Sequence, residues 1–380
     1  MAAETALIVG AGFAGAVYAR TLAEAGWTVR VIDRRTHIAG NAYDEVDGNG
    51  VRVHRYGPHL FHTNNDAVVE WIQQFGEFVP YQHRVRALLP DGRLVPLPVN
   101  ADTVEAVLHR PLPDEAAMQA ALAEVALPIA NPQNAAEHLN SKIGKELTDL
   151  FFRPYTKKMW GLDLEEMDAS VVKRIPLRTD REDRYFPGDR HQIMPRDGYT
   201  AIFRSIFDHP NIRVETGVSY EKGMEDSYTH CFNSMAIDEY FDRSLGELPY
   251  RSIRFHARTV EGELPADMNW TVTNYTDTGP LTRETHWDLL PHHRVEATGR
   301  RTVTVEEPCD YRDNNEERYY PVKTSDGRYQ EKYKEYAALA AGLERMSFIG
   351  RCGTYQYLDM DQVINQSLMG ARRFLAERGG

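Results

Sequence analysis

Residues 5–33, TALIVGAGFAGAVYARTLAEAGWTVRVID, constrain the fold more than any other part of this 380-residue chain. A short apolar run (5–10) meets a glycine turn (10–15). A segment with apolar residues at helical spacing follows and stops at Gly26. A second apolar run (28–33) ends on Asp33. The order is strand, turn, helix, strand. Gly10, Gly12 and Gly15 form G-x-G-x-x-G at the strand–helix junction. Gly10 permits the tight turn and Gly12 lets a diphosphate approach the backbone. Gly15, just after Phe13 and Ala14, lets helix and strand pack closely. The first-turn amides then face an anion. Asp33, about 20 residues on, suits ribose hydroxyls. The pattern predicts a bound dinucleotide with an unphosphorylated ribose, FAD or NAD.

The glycine motif alone leaves FAD and NAD open. After Asp33 the chain reads DRRTHIAGNAYDE (33–45), a polar loop rather than another helix. This resembles flavoproteins of the glutathione-reductase type and favours FAD. Arg34 is expected at phosphate or adenine edge, with Gly40 and Asn41 near the diphosphate.

The rest of the chain bounds the answer. A formal net charge of −12 argues against a nucleic-acid partner. Three widely spaced cysteines form neither a disulfide framework nor a zinc pattern, and no metal is expected. No signal peptide and no membrane span are predicted, so a cytoplasmic location is expected. Residues 80–99 alternate around a DGR turn and predict a hairpin. Residues 102–168 carry helical signals, residues 250–310 return to strands, and the last forty revert to α/β character. The expected fold class is α/β: an FAD-binding Rossmann-like domain with an inserted helical lobe and an antiparallel β-sheet domain. The FAD domain is assigned to 1–79, 199–244 and 323–380. The sheet domain is assigned to 80–101, 181–198 and 245–322, and the helical lobe to 102–180.

Several blocks, read together, resemble the bacterial UDP-galactopyranose mutases: IVGAGFAG, RRTHIAGNAYD, YGPHLFHTN, FFRPYTKKMWG, KRIPLRTDREDRYF, YYPV and GRCGTYQYLDMDQV. The likeness spans nearly the whole chain. It implies an isomerase that interconverts pyranose and furanose forms of a nucleotide sugar, UDP-galactose by default, with no net redox. Reduced FAD would act through nucleophilic attack of its N5 on the anomeric carbon. NADPH or NADH is expected as reductant, and a homo-oligomer, a dimer, as assembly. Two alternatives stay open: the same chemistry on another UDP- or dTDP-hexose, and a flavin-binding homologue without catalysis.

The resemblance also implies a site. Arg174 and Arg283 match the two arginines that hold the diphosphate; a planar fork suits two negative charges better than an ammonium. Tyr155, Trp160 and Tyr185 match nucleotide contacts, and Tyr320 and Tyr357 match diphosphate contacts. Asn274 and His83 match positions in the sugar pocket. Phe151 and Phe152 are placed near uracil, with core packing of a helix equally open for Phe152. His59 and His62 border the flavin ring in the family, and no carboxylate neighbour is expected to form a base dyad with them. Arg351 and the amides of the final helix, behind Asp359, Met360 and Val363, are expected against the flavin. Asp359 also reads as a helix N-cap. Lys157 and Lys158 are read as solvated.

Four departures from the family pattern stand out. Ala39 takes the place of a glycine. Ser234, Met235 and Ala236 replace Thr-Gly-Pro. Leu281 and Glu307 each stand where tyrosine is usual.

Overall fold

A computed structural model describes residues 4–173 and 177–379. Five parallel strands form one sheet in the order Ile212–Thr216, Thr28–Asp33, Thr5–Val9, His230–Asn233, Met346–Phe348. Three of these strands lie more than 170 residues from the first two. The helix Phe13–Glu24 and the long closing helix Met360–Gly379 pack together beside this sheet. Their apolar faces share one core with Ile8, Val29, Val31 and Phe232.

The glycine turn behaves as its spacing requires. Gly10 has φ +102°, where a side chain is strained. A β-carbon on Gly15 would fall 1.9 Å from the carbonyl oxygen of Gly10 and 2.9 Å from Ile8 Cγ2. A β-carbon on Gly12 would meet only Gly40 Cα, at 3.7 Å. Gly15 therefore serves packing, and Gly12 leaves the helix N-terminus open.

The second sheet has seven strands, in the order Tyr320–Pro321, Tyr250–Glu261, Arg300–Asp310, Arg283–His286, Val272–Tyr275, Val85–Leu88, Leu94–Leu97. It is antiparallel except where Val272–Tyr275 runs parallel to Val85–Leu88. A third, small antiparallel sheet pairs His191–Pro195 with Phe61–Thr63 and Phe78–Pro80. Residues 181–198, expected with the large sheet, thus contribute their strand elsewhere and brace the strand that carries His62.

The helical lobe contains Ala101–Leu108, Glu115–Val125 and Ala135–Leu147 around a core of Val104, Leu139, Ile143 and Leu147. It ends in a π-turn, Thr148–Phe152, that runs into the helix Arg153–Trp160. Pro154, in the first turn of that helix, has no N–H to continue the α-ladder, which accounts for the change of winding. Gly161, at φ +72°, ends the helix. No described helix is long and apolar enough to cross a membrane, and no described group of side chains could hold a metal ion.

The two glycines separate by experiment. Gly15→Ala should lower stability by about 1–3 kcal/mol through overpacking against the Gly10 carbonyl. Gly12→Ala should stay within about 0.5 kcal/mol of the parent. Urea denaturation of the cofactor-free protein measures both.

Candidate functional site

One cavity of about 840 Å³ runs between the parallel sheet, the seven-stranded sheet and the helical lobe. Every expected site residue among the described ones lines it, from Gly10 at one end to Phe151 at the other. Arg174 lies outside the described residues.

The first half of the cavity is backbone and charge. The Asp33 carboxylate is fixed by two amides: Ala11 N–H donates to Oδ2 (2.8 Å) and Arg35 N–H to Oδ1 (2.9 Å). Ser234 covers the Gly10 turn and donates to the Val9 carbonyl (2.7 Å). Arg35 lies over the Tyr56 ring at 4.2 Å, donates to Asn41 Oδ1 (2.9 Å) and pairs with Glu317. Arg34 is more exposed and sits 3.7 Å from Glu317. At the start of the closing helix, Asp359 N–H donates to the Gln362 side chain (3.0 Å). In this half of the cavity three groups carry buried polar atoms with no hydrogen-bond partner among the described residues: Tyr319 Oη, Arg351 Nε and Arg318 Nε. Unpaired buried donors are costly, so their presence beside a glycine cradle and an open helix N-terminus fits a polar, anionic cofactor.

The second half is aromatic and cationic. Arg283 and Asn274 are direct cross-strand partners and both line the cavity. Arg283 Nε lies 2.7 Å from Oε2 of the fully buried Glu306, as an ion pair outside hydrogen-bond alignment. Burial raises the Glu306 pKa and Arg283 opposes that rise. Trp160 lies against Tyr320 and Tyr357, at 5.6 and 6.2 Å between ring centres. Tyr320 stacks on Tyr357 at 5.1 Å, and the Arg351 guanidinium sits over both rings. Burial pushes the Tyr155 hydroxyl up to about 12, against the pull of Arg283. It pushes Tyr320 higher still. Both hydroxyls therefore stay protonated and can donate. Phe151 and Phe152 belong to the helical core and also line the cavity, so both readings of Phe152 hold.

Between the halves sit histidines. His62 Nδ1 is 2.7 Å from Asp189 Oδ2, and its ring stacks on Phe186 at 3.5 Å. Asn64 holds the other Asp189 oxygen at 2.9 Å. The expected lack of a carboxylate neighbour is thus overturned: His191–Pro195 pairs with Phe61–Thr63 and carries Asp189 to His62. Burial lowers His59 to about 4 and His83 to about 3. His83 meets Tyr81 Oη at 3.1 Å and lies near the Tyr185 ring. Behind His59 runs a buried chain. His59 N–H donates to His54 Nδ1 (3.0 Å), His54 Nε2 faces His293 Nε2 (3.1 Å), and His293 Nδ1 donates to the Pro291 carbonyl (3.0 Å). The first two links each need a ring nitrogen that accepts, and so a neutral ring.

Two other expectations change. Lys158 is not solvated: its side chain is 8% exposed and its ammonium donates to the carbonyls of Tyr275, Asp277 and Leu281. Lys157 is exposed and pairs with Asp163. Glu307 pairs with Arg254 and His256 on strands of the large sheet and does not line the cavity, and neither does Leu281. Ala39, Ser234, Met235 and Ala236 do line it.

Comparison with known proteins agrees with this geometry. A family model described as UDP-galactopyranose mutase matches residues 150–357, and an NAD(P)-binding Rossmann-like domain model matches residues 8–75. A Klebsiella pneumoniae protein named "Probable UDP-galactopyranose mutase" is 38% identical, over 97% of this chain and 94% of its own. An Escherichia coli dTDP-fucopyranose mutase is 36% identical, over 97% of this chain and 98% of its own. A crystal structure of reduced UDP-galactopyranose mutase has the same fold, with a TM-score of 0.78 at 17% identity, covering 99% of this chain and 94% of that one.

The buried pair predicts a double-mutant signature. Arg283→Met should cost about 3 kcal/mol by stranding the Glu306 charge, and adding Glu306→Gln should recover most of it; urea titration reads the cycle. The histidines predict a pH window. Unfolded histidine binds its proton near 6.5, whereas folded His59 and His293 resist to about 4. Between these values the unfolded state holds more protons. Stability is therefore complete above about 6.5 and falls as pH drops toward 4. Urea midpoints across that range should show this, with a shallower fall in His293→Gln.

Proposed function

The chain belongs to the UDP-galactopyranose mutase family, and from that premise we propose that it interconverts UDP-galactopyranose and UDP-galactofuranose using reduced FAD. The observation that carries the reading is the single cavity. It joins the glycine turn and Asp33 to Arg283, Asn274 and the Trp160–Tyr320–Tyr357 cluster.

Gly10, Gly12, Gly15, Asp33 and Arg351 would hold the cofactor. Bound and reduced, the flavin supplies the nucleophilic nitrogen for the anomeric carbon. The chain's own residues hold the leaving diphosphate. Arg283, kept charged by buried Glu306, offers its fork, with Arg174 as the second arginine. Tyr155 and Tyr320, held neutral by burial, donate hydroxyl protons to the same oxygens without adding negative charge. The Trp160–Tyr320–Tyr357 rings exclude water from the leaving group. Asp189 holds His62 in one tautomer, with Nδ1–H donating. NADPH or NADH as reductant, a homo-oligomeric holoprotein and a cytoplasmic location complete the reading.

A second reading, dTDP-fucose as substrate, is favoured by the E. coli relative of nearly equal identity. The two separate in one assay. Dithionite-reduced protein is offered UDP-galactofuranose and dTDP-fucofuranose, and ring size is read by NMR. UDP-galactofuranose conversion is the expected result; turnover of the fucose nucleotide alone selects the second reading. Arg283→Lys keeps a charge opposite Glu306 but loses the fork. It should lower kcat/KM tenfold or more, ~1.4 kcal/mol or above.

A further inference from the structure

The substrate end of the cavity is made of two pieces that the chain does not join directly. Tyr155 and Trp160 ride on the helix Arg153–Trp160, at the end of the helical lobe. Asn274 and Arg283 face each other across the hairpin Val272–Tyr275 and Arg283–His286. A contact that fixes the gap between helix and hairpin fixes the width of this end of the cavity.

Two cations join this helix to the seven-stranded sheet in opposite directions. Lys158, on the helix, reaches the hairpin turn. Its ammonium donates to the carbonyls of Tyr275 (2.9 Å), Asp277 (2.9 Å) and Leu281 (2.8 Å), which uses all three protons. Tyr275 is next to Asn274, and Leu281 is two residues before Arg283, so the ammonium grips both ends of the turn. The Asp277 carboxylate stands at 3.4 Å. In return, Arg251 on the long strand Tyr250–Glu261 donates from Nε to the carbonyl of Met159 (2.9 Å) and from Nη2 to that of Lys158 (3.1 Å). These are helix-end carbonyls that need outside donors. Gly161 keeps the backbone close here, since a β-carbon would come within 3.3 Å of Arg251 Nη1.

An ammonium only 8% exposed is expensive to desolvate, and burial lowers its pKa. Scaffold packing alone would be served as well by an apolar chain of similar length. From Leu281 the ammonium takes only the backbone carbonyl, so the unusual Leu281 side chain leaves the grip intact. We propose that Lys158 is a positioning residue for nucleotide-diphosphate binding: it latches the Tyr155–Trp160 helix to the Asn274–Arg283 hairpin at a fixed separation. The inference rests on the nucleotide-sugar reading above. A displacement of about 1 Å between such pieces is enough to cost a large factor in rate or affinity.

The test uses the flavin-loaded protein and UDP as probe. Lys158→Met removes the ammonium and keeps the stem; Lys158→Gln is the milder second variant, should the first fold poorly. UDP affinity is measured by fluorescence titration, flavin content by absorbance, and KM and kcat with UDP-galactofuranose. The expected result is a rise in the UDP Kd and in KM of about tenfold, with flavin content unchanged. A purely structural lysine would reduce thermal stability but leave the Kd of flavin-loaded molecules unaltered, so UDP binding within twofold of the parent in either folded variant overturns the proposal. Failure of the parent itself to bind UDP overturns the nucleotide-sugar reading instead, and is seen before any variant is made.

Discussion

A β-carbon at Gly15 would sit 1.9 Å from the Gly10 carbonyl, so helix and strand meet with no space for a side chain. That contact sets the carboxyl edge of the parallel sheet. It brings the helix N-terminus to the end of Thr5–Val9 and lets the Ala11 amide reach Asp33 on the neighbouring strand. Ser234 arrives from a third strand and closes over the same turn. Gly350, at the end of the fifth, would place a β-carbon 3.0 Å from Ala14 and 3.7 Å from Ser234. The cofactor end is thus one packing solution, in which four distant segments share a few ångströms.

The other end is organised by charge rather than close packing. Strand alternation turns Arg283 and Glu306 inward as partners in neighbouring strands, and Glu284 and Glu307 outward. Burial makes the inner pair interdependent: without Arg283 the Glu306 carboxylate has no compensating charge. The same burial keeps Tyr155 and Tyr320 protonated. The result is a surface that presents positive charge and hydroxyl donors to an anion, with the negative partner hidden behind the guanidinium. Lys158 and Arg251 then hold the aromatic helix against this surface chiefly through backbone carbonyls.

Local signals in the sequence were legible because their physics is local. The glycine spacing, the DGR hairpin at 85–97 and the helices of the lobe all depend on neighbours within a few residues. Asp189 was not legible, because it meets His62 only through strand pairing across 127 residues. Tyr319 was hidden beside Tyr320: its importance lies in an unpartnered buried hydroxyl, which only three dimensions reveal. Lys158 and Glu307 carried usable signals that charge alone obscured. Lys158 follows Tyr155 by three residues, which puts both on one helix face, whereas Lys157 turns away. Glu307 follows the inward Glu306 by one residue in a strand, so period two already sends it out.

That alternation also decides what the unusual residues can do. Leu281 contributes a carbonyl to Lys158 and Glu307 an outer-face ion pair, so neither side chain reaches the cavity. Ala39 and the Ser234–Met235–Ala236 segment reach it at the glycine turn. Ala39 adopts φ +74°, a conformation that costs an L-residue about 1–2 kcal/mol. It is held there by its amide, which donates to the Ala11 carbonyl (2.9 Å), and by near-complete burial of its methyl group. The strain sits two residues from Asn41 and directly before Gly40, where the backbone approaches Gly12. Departures of this kind alter the bed of the cofactor and leave the Arg283–Asn274 pair and its aromatic wall in place. The unusual side chains that reach the cavity thus gather at its glycine-turn end, and the two ends meet where Arg351 lies over Tyr320 and Tyr357.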